Sequence, residues 1–265
     1  MTPGTIRELQ LRDTPVVVAL LRESFEPDLW PLMTYTQHGA AEYLSVPLRF
    51  PDFTPAARSL VMLNDDGTGS VFGFADFRVL GADAAHLSYI CVAPEARGRG
   101  VATALIREFL TTHPSVTRLS LDVFNDNVPA RSLYAKLGFD MSDSSVWITR
   151  PLPRASGSVT VDNLPFALAA YSSYGFCELQ VNGGFGIRRY GLLGRATVRA
   201  FTAESFDDDE VFAGLHALFA DTTTAFCIVP DAELGLIQSE HSLVKRNDRM
   251  ILSWSLDSLP PLGNK

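Results

Sequence analysis

Along this 265-residue chain, apolar positions either alternate with polar ones or recur every three to four residues, and the spacing predicts an ordered run of strands and helices. Residues 5–10 read as a first strand, 15–24 and 36–44 as two helices, and 59–63 with 71–79 as a hairpin. Asn64-Asp-Asp-Gly67 supplies the Asp-Gly signal of a tight turn between the two hairpin strands. His86-Leu-Ser-Tyr-Ile-Cys-Val92 is short and apolar, as a buried strand is. Val101, Leu105 and Phe109 then recur at four-residue spacing beside Ala102, Ile106 and Leu110, which gives one face of a helix. Leu119, Leu121 and Val123 alternate as a half-buried strand, and a last strand is expected at 146–149. Between these two strands, Asn127 is placed to cap a helix whose early Pro129 has no N–H to lose and whose C-terminal glycine is Gly138.

The pattern breaks at 151–158, where Pro151-Leu-Pro-Arg-Ala-Ser-Gly-Ser158 has no period and reads as a linker. Beyond it the order of elements repeats with shortened front helices. A helix is expected at 164–171, strands at 177–181, 186–190 and 196–201, a helix at 209–219, a strand at 225–229, a short helical stretch, and a strand at 250–255. A chain of this length exceeds one such module, so a second core is expected. The division is therefore 1–150, a linker at 151–158, and 159–265.

Between the strand at 86–92 and the helix at 101 lies Ala93-Pro-Glu-Ala-Arg-Gly-Arg-Gly100. The leading N–H groups of a helix have no intrahelical partner and together carry partial positive charge, so a helix start is suited to an anion. Gly98 and Gly100 let the backbone approach a phosphate closely, Ala102 keeps the next turn slim, and Arg97 and Arg99 add full charges. No Lys-Ser or Lys-Thr pair follows the glycines, so this is not a P-loop. A dinucleotide fingerprint lacks its third glycine, position 103 being Thr, although Asp122 stands near the expected ribose-binding position.

Two segments together carry a family resemblance. One is Arg-x-x-Gly-x-Ala at Arg97, Gly100 and Ala102; the other is Asn-x-x-Ala-x-x-Leu-Tyr-x-Lys-x-Gly-Phe at Asn127, Ala130, Leu133, Tyr134, Lys136, Gly138 and Phe139. At this spacing the region 5–150 resembles the acetyl-CoA core of the GNAT superfamily of N-acetyltransferases. The resemblance implies an α/β domain with a mixed, partly antiparallel sheet flanked by helices. It also implies acetyl-CoA as cosubstrate, bound by Cys91 and Val92 along the pantetheine arm, by Arg97, Gly98, Arg99, Gly100, Val101 and Ala102 at the pyrophosphate, and by Asn127. A backbone N–H near Val92 would help the thioester carbonyl, and Tyr134 would be the general acid at the sulfur. The same tyrosine also fits a helical core stripe of Ala130, Leu133, Tyr134 and Leu137.

A general base does not stand out. Asp76, His86, Ser88 and Glu26 each qualify by chemistry. The acceptor wall of the family falls at 25–35, where Glu26, Trp30 and Tyr35 supply acid and aromatic groups that would suit a cationic amine. Glu26, Trp30, Tyr35, Asp76 and His86 are thus the candidate substrate contacts.

In the second half the place of the Gly-Arg-Gly loop is taken by Ala203-Glu-Ser-Phe-Asp-Asp-Asp-Glu210, with Ser205 as the expected cap of an acidic helix start. Carboxylates there satisfy the helix terminus internally and repel a pyrophosphate. The second half is accordingly expected to be a degenerate, non-catalytic GNAT-like copy, as in tandem enzymes resembling mycothiol synthase, with an unrelated α+β accessory domain as the alternative.

Charge and cysteine usage narrow the partners. A net charge of −8 with no basic run beyond Arg188-Arg189 excludes a nucleic-acid partner. Cys91, Cys177 and Cys227 fall one per apolar strand, without metal spacing, as core thiols of a reducing compartment do. Arg7 and Glu8 interrupt any signal peptide and no apolar run reaches membrane length, so the expected setting is the cytoplasm, with no membrane and no metal. Lysine occurs only at 136, 245 and 265, as in arginine-rich bacterial proteomes. The function expected is acetyl transfer to a primary amine on a small molecule. The alternatives are a non-catalytic acyl-CoA-binding or assembly module and an N-terminal peptide acetyltransferase; an oligomer is compatible with each.

Overall fold

The computed structural model describes residues 4–64, 69–153, 157–183 and 186–254. The chain divides into two compact units that are not contiguous in sequence. The first comprises Met1–Ser24, Leu44–Asp143 and Asp248–Lys265, and the second Phe25–Tyr43 and Ser144–Asn247. This differs from a cut at 151–158, because 25–43 pack with the second unit and 248–254 with the first. The expected linker is also not free: Leu152 is buried, and a Cβ on Gly157 would lie 2.7 Å from the Gly214 backbone nitrogen. Residues 154–156 lie outside the described residues.

The first unit holds strands β1 (Gly4–Glu8), β2 (Ala57–Asn64), β3 (Val71–Leu80), β4 (Ala84–Val92) and β5 (Arg118–Phe124) side by side in that order. The first three pairings are antiparallel and the fourth, β4 with β5, is parallel. Helices α1 (Thr14–Ser24) and α3 (Val101–Thr112) cover opposite faces. Cys91 on β4 faces the Ser24 side chain of α1, whereas Gly73, one residue along β3 from Cys91's partner Phe74, meets Val101 and Leu105 of α3. The α3 face is tightly packed, with Phe77 stacked on Phe109 at 4.0 Å between ring centroids. The hairpin joining β2 and β3 forms as expected, although its turn residues 65–67 lie outside the described residues.

The second helix, α2, covers Ala40–Arg49 rather than 36–44. Thr36 Oγ1 and Gln37 Nε2 both donate to the carbonyls of Trp30 and Met33, which ties the preceding residues into short 3-10 turns and delays the helix to Ala40. Helix α4 runs over Val128–Lys136, and Gly138 at φ 90° ends it in the left-handed conformation that glycine tolerates.

Strand β6 (Asp140–Pro151) carries the chain into the second unit and β12 (Ser242–Ser253) returns it. The second unit contains β7 (Thr160–Val161), α5 (Leu164–Tyr174), β8 (Phe176–Gly183), β9 (Gly186–Leu193), β10 (Thr197–Ala200), α6 (Ala203–Phe206), α7 (Asp209–Leu218) and β11 (Thr224–Pro230). Its strands lie in the order β7-β8-β9-β10-β11, again with three antiparallel pairings followed by one parallel pairing. Phe206, Phe212 and Tyr190 are fully buried and fill its core. Among the described residues no helix is long and apolar enough to cross a membrane.

Candidate active site

The glycine-rich loop is built as its sequence requires. After Val92 a 3-10 turn at Pro94–Ala96 reverses the chain, closed by Ala96 N–H donating to Ala93 O at 2.9 Å. Gly98 (φ 71°) and Gly100 (φ 81°) both adopt the left-handed conformation, and Gly100 is the N-cap residue of α3. A Cβ at either position would meet nothing within 4 Å, so the demand for glycine comes from φ and from the open face in front of the backbone. The first turn of α3 contains no acid. Arg97 reaches back to Val92 O through Nε at 3.3 Å, and Arg99 lies 5.0 Å over the Phe72 ring. The loop from 97 to 100 is exposed.

Beside this loop the sheet opens. The parallel ladder of β4 and β5 ends at Leu87↔Leu121, yet β4 continues to Val92 and β5 to Phe124. A register shift against β3 leaves Ser88 as an extra residue between Leu87 and Tyr89, which bends β4 where the ladder stops. Cys91 and Val92 therefore edge a cleft whose far end is the start of α3. The Cys91 thiol points away from reactivity: burial pushes it up to about 12.

Asn127 caps α4 by accepting from Ala130 N–H at 3.2 Å. Tyr134, one turn further on, is 5% exposed, with its ring 5.6 Å from Phe139. Burial raises its pKa above the ordinary phenol value, so the hydroxyl carries its proton at neutral pH.

The candidate acceptor residues divide between the units. Asp76 and His86 belong to the first. Asp76 is buried on β3 and accepts from Ser59 Oγ at 2.6 Å. His86 on β4 contacts Ser120 Oγ through Nδ1 at 3.0 Å, and its Nε2 lies 3.8 Å from Asp122 Oδ2. Burial lowers the imidazole pKa against the pull of Asp122. Glu26, Trp30 and Tyr35 belong to the second unit. There Glu26 pairs with Lys245 at 3.1 Å, Trp30 Nε1 donates to Phe25 O at 3.1 Å, and Tyr35 is buried 6.0 Å from the Tyr43 ring. Ser120, Asp122 and Arg249 were not among the candidate contacts. The alternation of Leu119, Leu121 and Val123 does put Ser120 and Asp122 together on the other face, but Arg249 is 127 residues from Asp122 and has no local signal.

The matching position in the second unit is filled from within. Thr202, not Ser205, caps the short α6, because its hydroxyl accepts from Ser205 N–H and leaves Ser205 inside the turn and buried. Asp208 caps α7 by accepting from Val211 N–H at 3.1 Å and binds Arg188 at 2.8 Å; Arg188 also binds Glu204. Asp207 accepts from the backbone N–H groups of Gln238 and Ser239 at 2.8 and 3.0 Å and from the Ser239 hydroxyl. Burial opposes the ionised form of Asp207, but those hydrogen bonds hold its carboxyl below the usual carboxylate range. Arg150 spans Asp209 and the Phe206 carbonyl, each at 2.6 Å. A shallow groove of about 630 Å³ alongside is lined by Arg150, Gln238, Ser239, Glu240 and His241, remote in sequence from the glycine loop.

Comparison with known proteins agrees with the first unit's geometry. Residues 18–139 match the sequence model of the acetyltransferase (GNAT) family. An L-amino acid N-acetyltransferase, AaaT, of Escherichia coli K12 is 44% identical over 55 residues, which is 20% of this chain and 34% of that protein. The chain thus spans about a third of the length of this curated relative. Two crystal structures resemble it over nearly its whole length. One is a provisionally assigned acetyltransferase from Pyrococcus horikoshii, with a TM-score of 0.61 and 17% identity over 99% of this chain and 93% of that one. The other, also provisionally assigned, is from Thermoplasma acidophilum, with a TM-score of 0.51 and 13% identity over 94% of this chain and 100% of that one. At such identities the likeness is one of fold. The sequence match to the acetyltransferase (GNAT) family thus covers residues 18–139, somewhat under half of this chain.

Proposed function

We propose that the chain is an acetyl-CoA-dependent N-acetyltransferase acting on the primary amine of a small molecule, with residues 1–150 carrying the chemistry. The observation that carries this reading is the exposed start of α3, where two left-handed glycines present bare backbone beside an opening between β4 and β5. A pyrophosphate fits the N–H groups from Gly98 to Ala102, with Arg97 and Arg99 adding charge. The pantetheine arm lies along Cys91 and Val92, whose edge β5 does not pair. Asn127 meets the cofactor chain, and a β4 N–H near Val92 polarises the thioester carbonyl. The protonated, buried Tyr134 donates to the departing thiolate. The small-molecule acceptor draws support from the relative, which acts on L-amino acids by its name. Three buried free thiols fit a reducing, cytoplasmic setting.

The second unit is, in this reading, a degenerate copy of the same fold. It repeats the strand order and the pairing senses of the first, while Asp207, Asp208 and Asp209 bind its own groups where an anion would lie. The test is release of free CoA thiol from acetyl-CoA in the presence of the standard L-amino acids, aliphatic and aromatic monoamines, and short peptides. Turnover with the small amines is expected. Turnover confined to peptides would move the acceptor class, and binding of acetyl-CoA without turnover on any amine would favour a non-catalytic module.

A further inference from the structure

Four polar side chains from three strands of the first unit meet at the foot of the cleft. His86 lies one residue before the last rung of the β4–β5 ladder, at Leu87↔Leu121. Its Nδ1 is 3.0 Å from Ser120 Oγ. That hydroxyl also has an acceptor in Ala85 O at 3.4 Å, an arrangement that suits the tautomer with its proton on Nδ1 and its lone pair on Nε2. Asp122 Oδ2 stands 3.8 Å from Nε2, beyond hydrogen-bond distance and close enough to attract a proton placed there. Arg249 fixes Asp122 with two bonds of 2.8 Å, one to each carboxylate oxygen. The His86 and Asp122 side chains keep 23% and 32% of their surfaces exposed, so the pair is not sealed from solvent. Asp76, the other acidic candidate in this unit, is buried and held by Ser59.

We propose that His86 Nε2 is the general base of the reaction, taking the proton of the acceptor amine, with Ser120, Asp122 and Arg249 as positioning residues. The assignment rests on the acetyl-transfer reading given above. In the step, the amine lone pair forms a C–N bond to the thioester carbonyl carbon, and the surplus proton on nitrogen passes through water in the cleft to Nε2. The C–S bond then breaks with its electron pair on sulfur, which takes the Tyr134 proton. A proton returned through solvent from the imidazolium to the tyrosinate restores both groups. The charged groups facing His86 are Asp122 from β5, which favours the imidazolium, and Arg249 from β12 and Arg78 from β3, which oppose it. Burial opposes it most, so the neutral base is present at physiological pH.

The experiment is the pH profile of kcat/KM for the full chain, measured by CoA thiol release with the best amine of the panel, for wild type, Asp122→Asn and His86→Gln. Wild type is expected to lose activity on a lower limb below the ordinary histidine range. Asp122→Asn removes the carboxylate that favours protonation, so its limb moves to lower pH. Ionisation of the amine is common to both proteins and cancels in the comparison. His86→Gln keeps a polar side chain beside Ser120 and is expected to retain the acetyl-CoA thermal shift while turnover falls about tenfold to a thousandfold. Should His86→Gln fail to fold, the limb shift in Asp122→Asn still decides. An active wild type whose limb is unmoved by Asp122→Asn would overturn the histidine alone; a wild type that transfers to no amine would overturn the transferase reading and this assignment with it.

Discussion

Gly100 and Tyr134 show how different residues become legible. A glycine at φ 81° and a capping Asn127 follow from local backbone rules, so their places could be read from the sequence. Burial of Tyr134 was equally readable from the helical stripe, and burial does not by itself separate a general acid from a core residue. The substitution Tyr134→Phe separates them. It keeps the ring against Phe139, so thermal stability and acetyl-CoA affinity should hardly move while kcat falls by about tenfold to a thousandfold. Unchanged kcat would make the tyrosine a packing residue only. Because burial raises the phenol pKa above 10.0, its protonated form persists as pH rises through the ordinary tyrosine range, and Tyr134 should impose no loss of kcat there. His86 was readable only as one of several candidates, and the array around it was not legible, since Arg249 arrives from the far end of the chain.

The helix starts illustrate what an element's sequence decides. α3 begins with glycines and no acids, whereas α7 begins with Asp208 as cap and Asp209 and Glu210 in its first turn. The order of the longer strands and helices was readable, because periodicity of two or of 3.6 residues is a strong signal over a whole element, whereas the short β7 and α6 carry too few residues to show one. Element ends were less so. α2 starts late because Thr36 and Gln37 spend their side chains on the carbonyls of Trp30 and Met33, and Ser205 lost the cap to Thr202, an equally good hydroxyl three residues earlier. Asp208→Ala should cost about 1 kcal/mol of stability through the lost cap. It should leave acetyl-CoA affinity unchanged, as a thermal melt with and without acetyl-CoA will show; a weakened ligand response would contradict the division of roles. Gly73→Val is the complementary change. Its Cβ would stand 2.5 Å from Val101 Cγ1, forcing α3 off the sheet, and overpacking of this kind costs about 1–3 kcal/mol. Since Val101 opens α3, both the melting temperature and acetyl-CoA affinity should fall.

At the scale of the whole molecule, the two compact units exchange segments that no local pattern announces. Residues 25–43 pack with the second unit, and β6 and β12 each contribute to both. A linker was expected at 151–158 because Pro and small residues lack a period, yet Leu152 and Gly157 are packed, which depends on tertiary neighbours alone. The repeat of strand order across the two halves was visible in the order of elements, and the acids of the second half were visible as charge. Their partners, Arg188, Arg150 and Ser239, were not. If the second unit supplies shape and the first the chemistry, one acetyl-CoA binds per chain, at the glycine loop. Titration calorimetry of the full chain with acetyl-CoA tests this directly. A stoichiometry near one, lost in Gly100→Leu and kept in Asp208→Ala, is the result expected; a stoichiometry near two, with a site that survives Gly100→Leu, would contradict it.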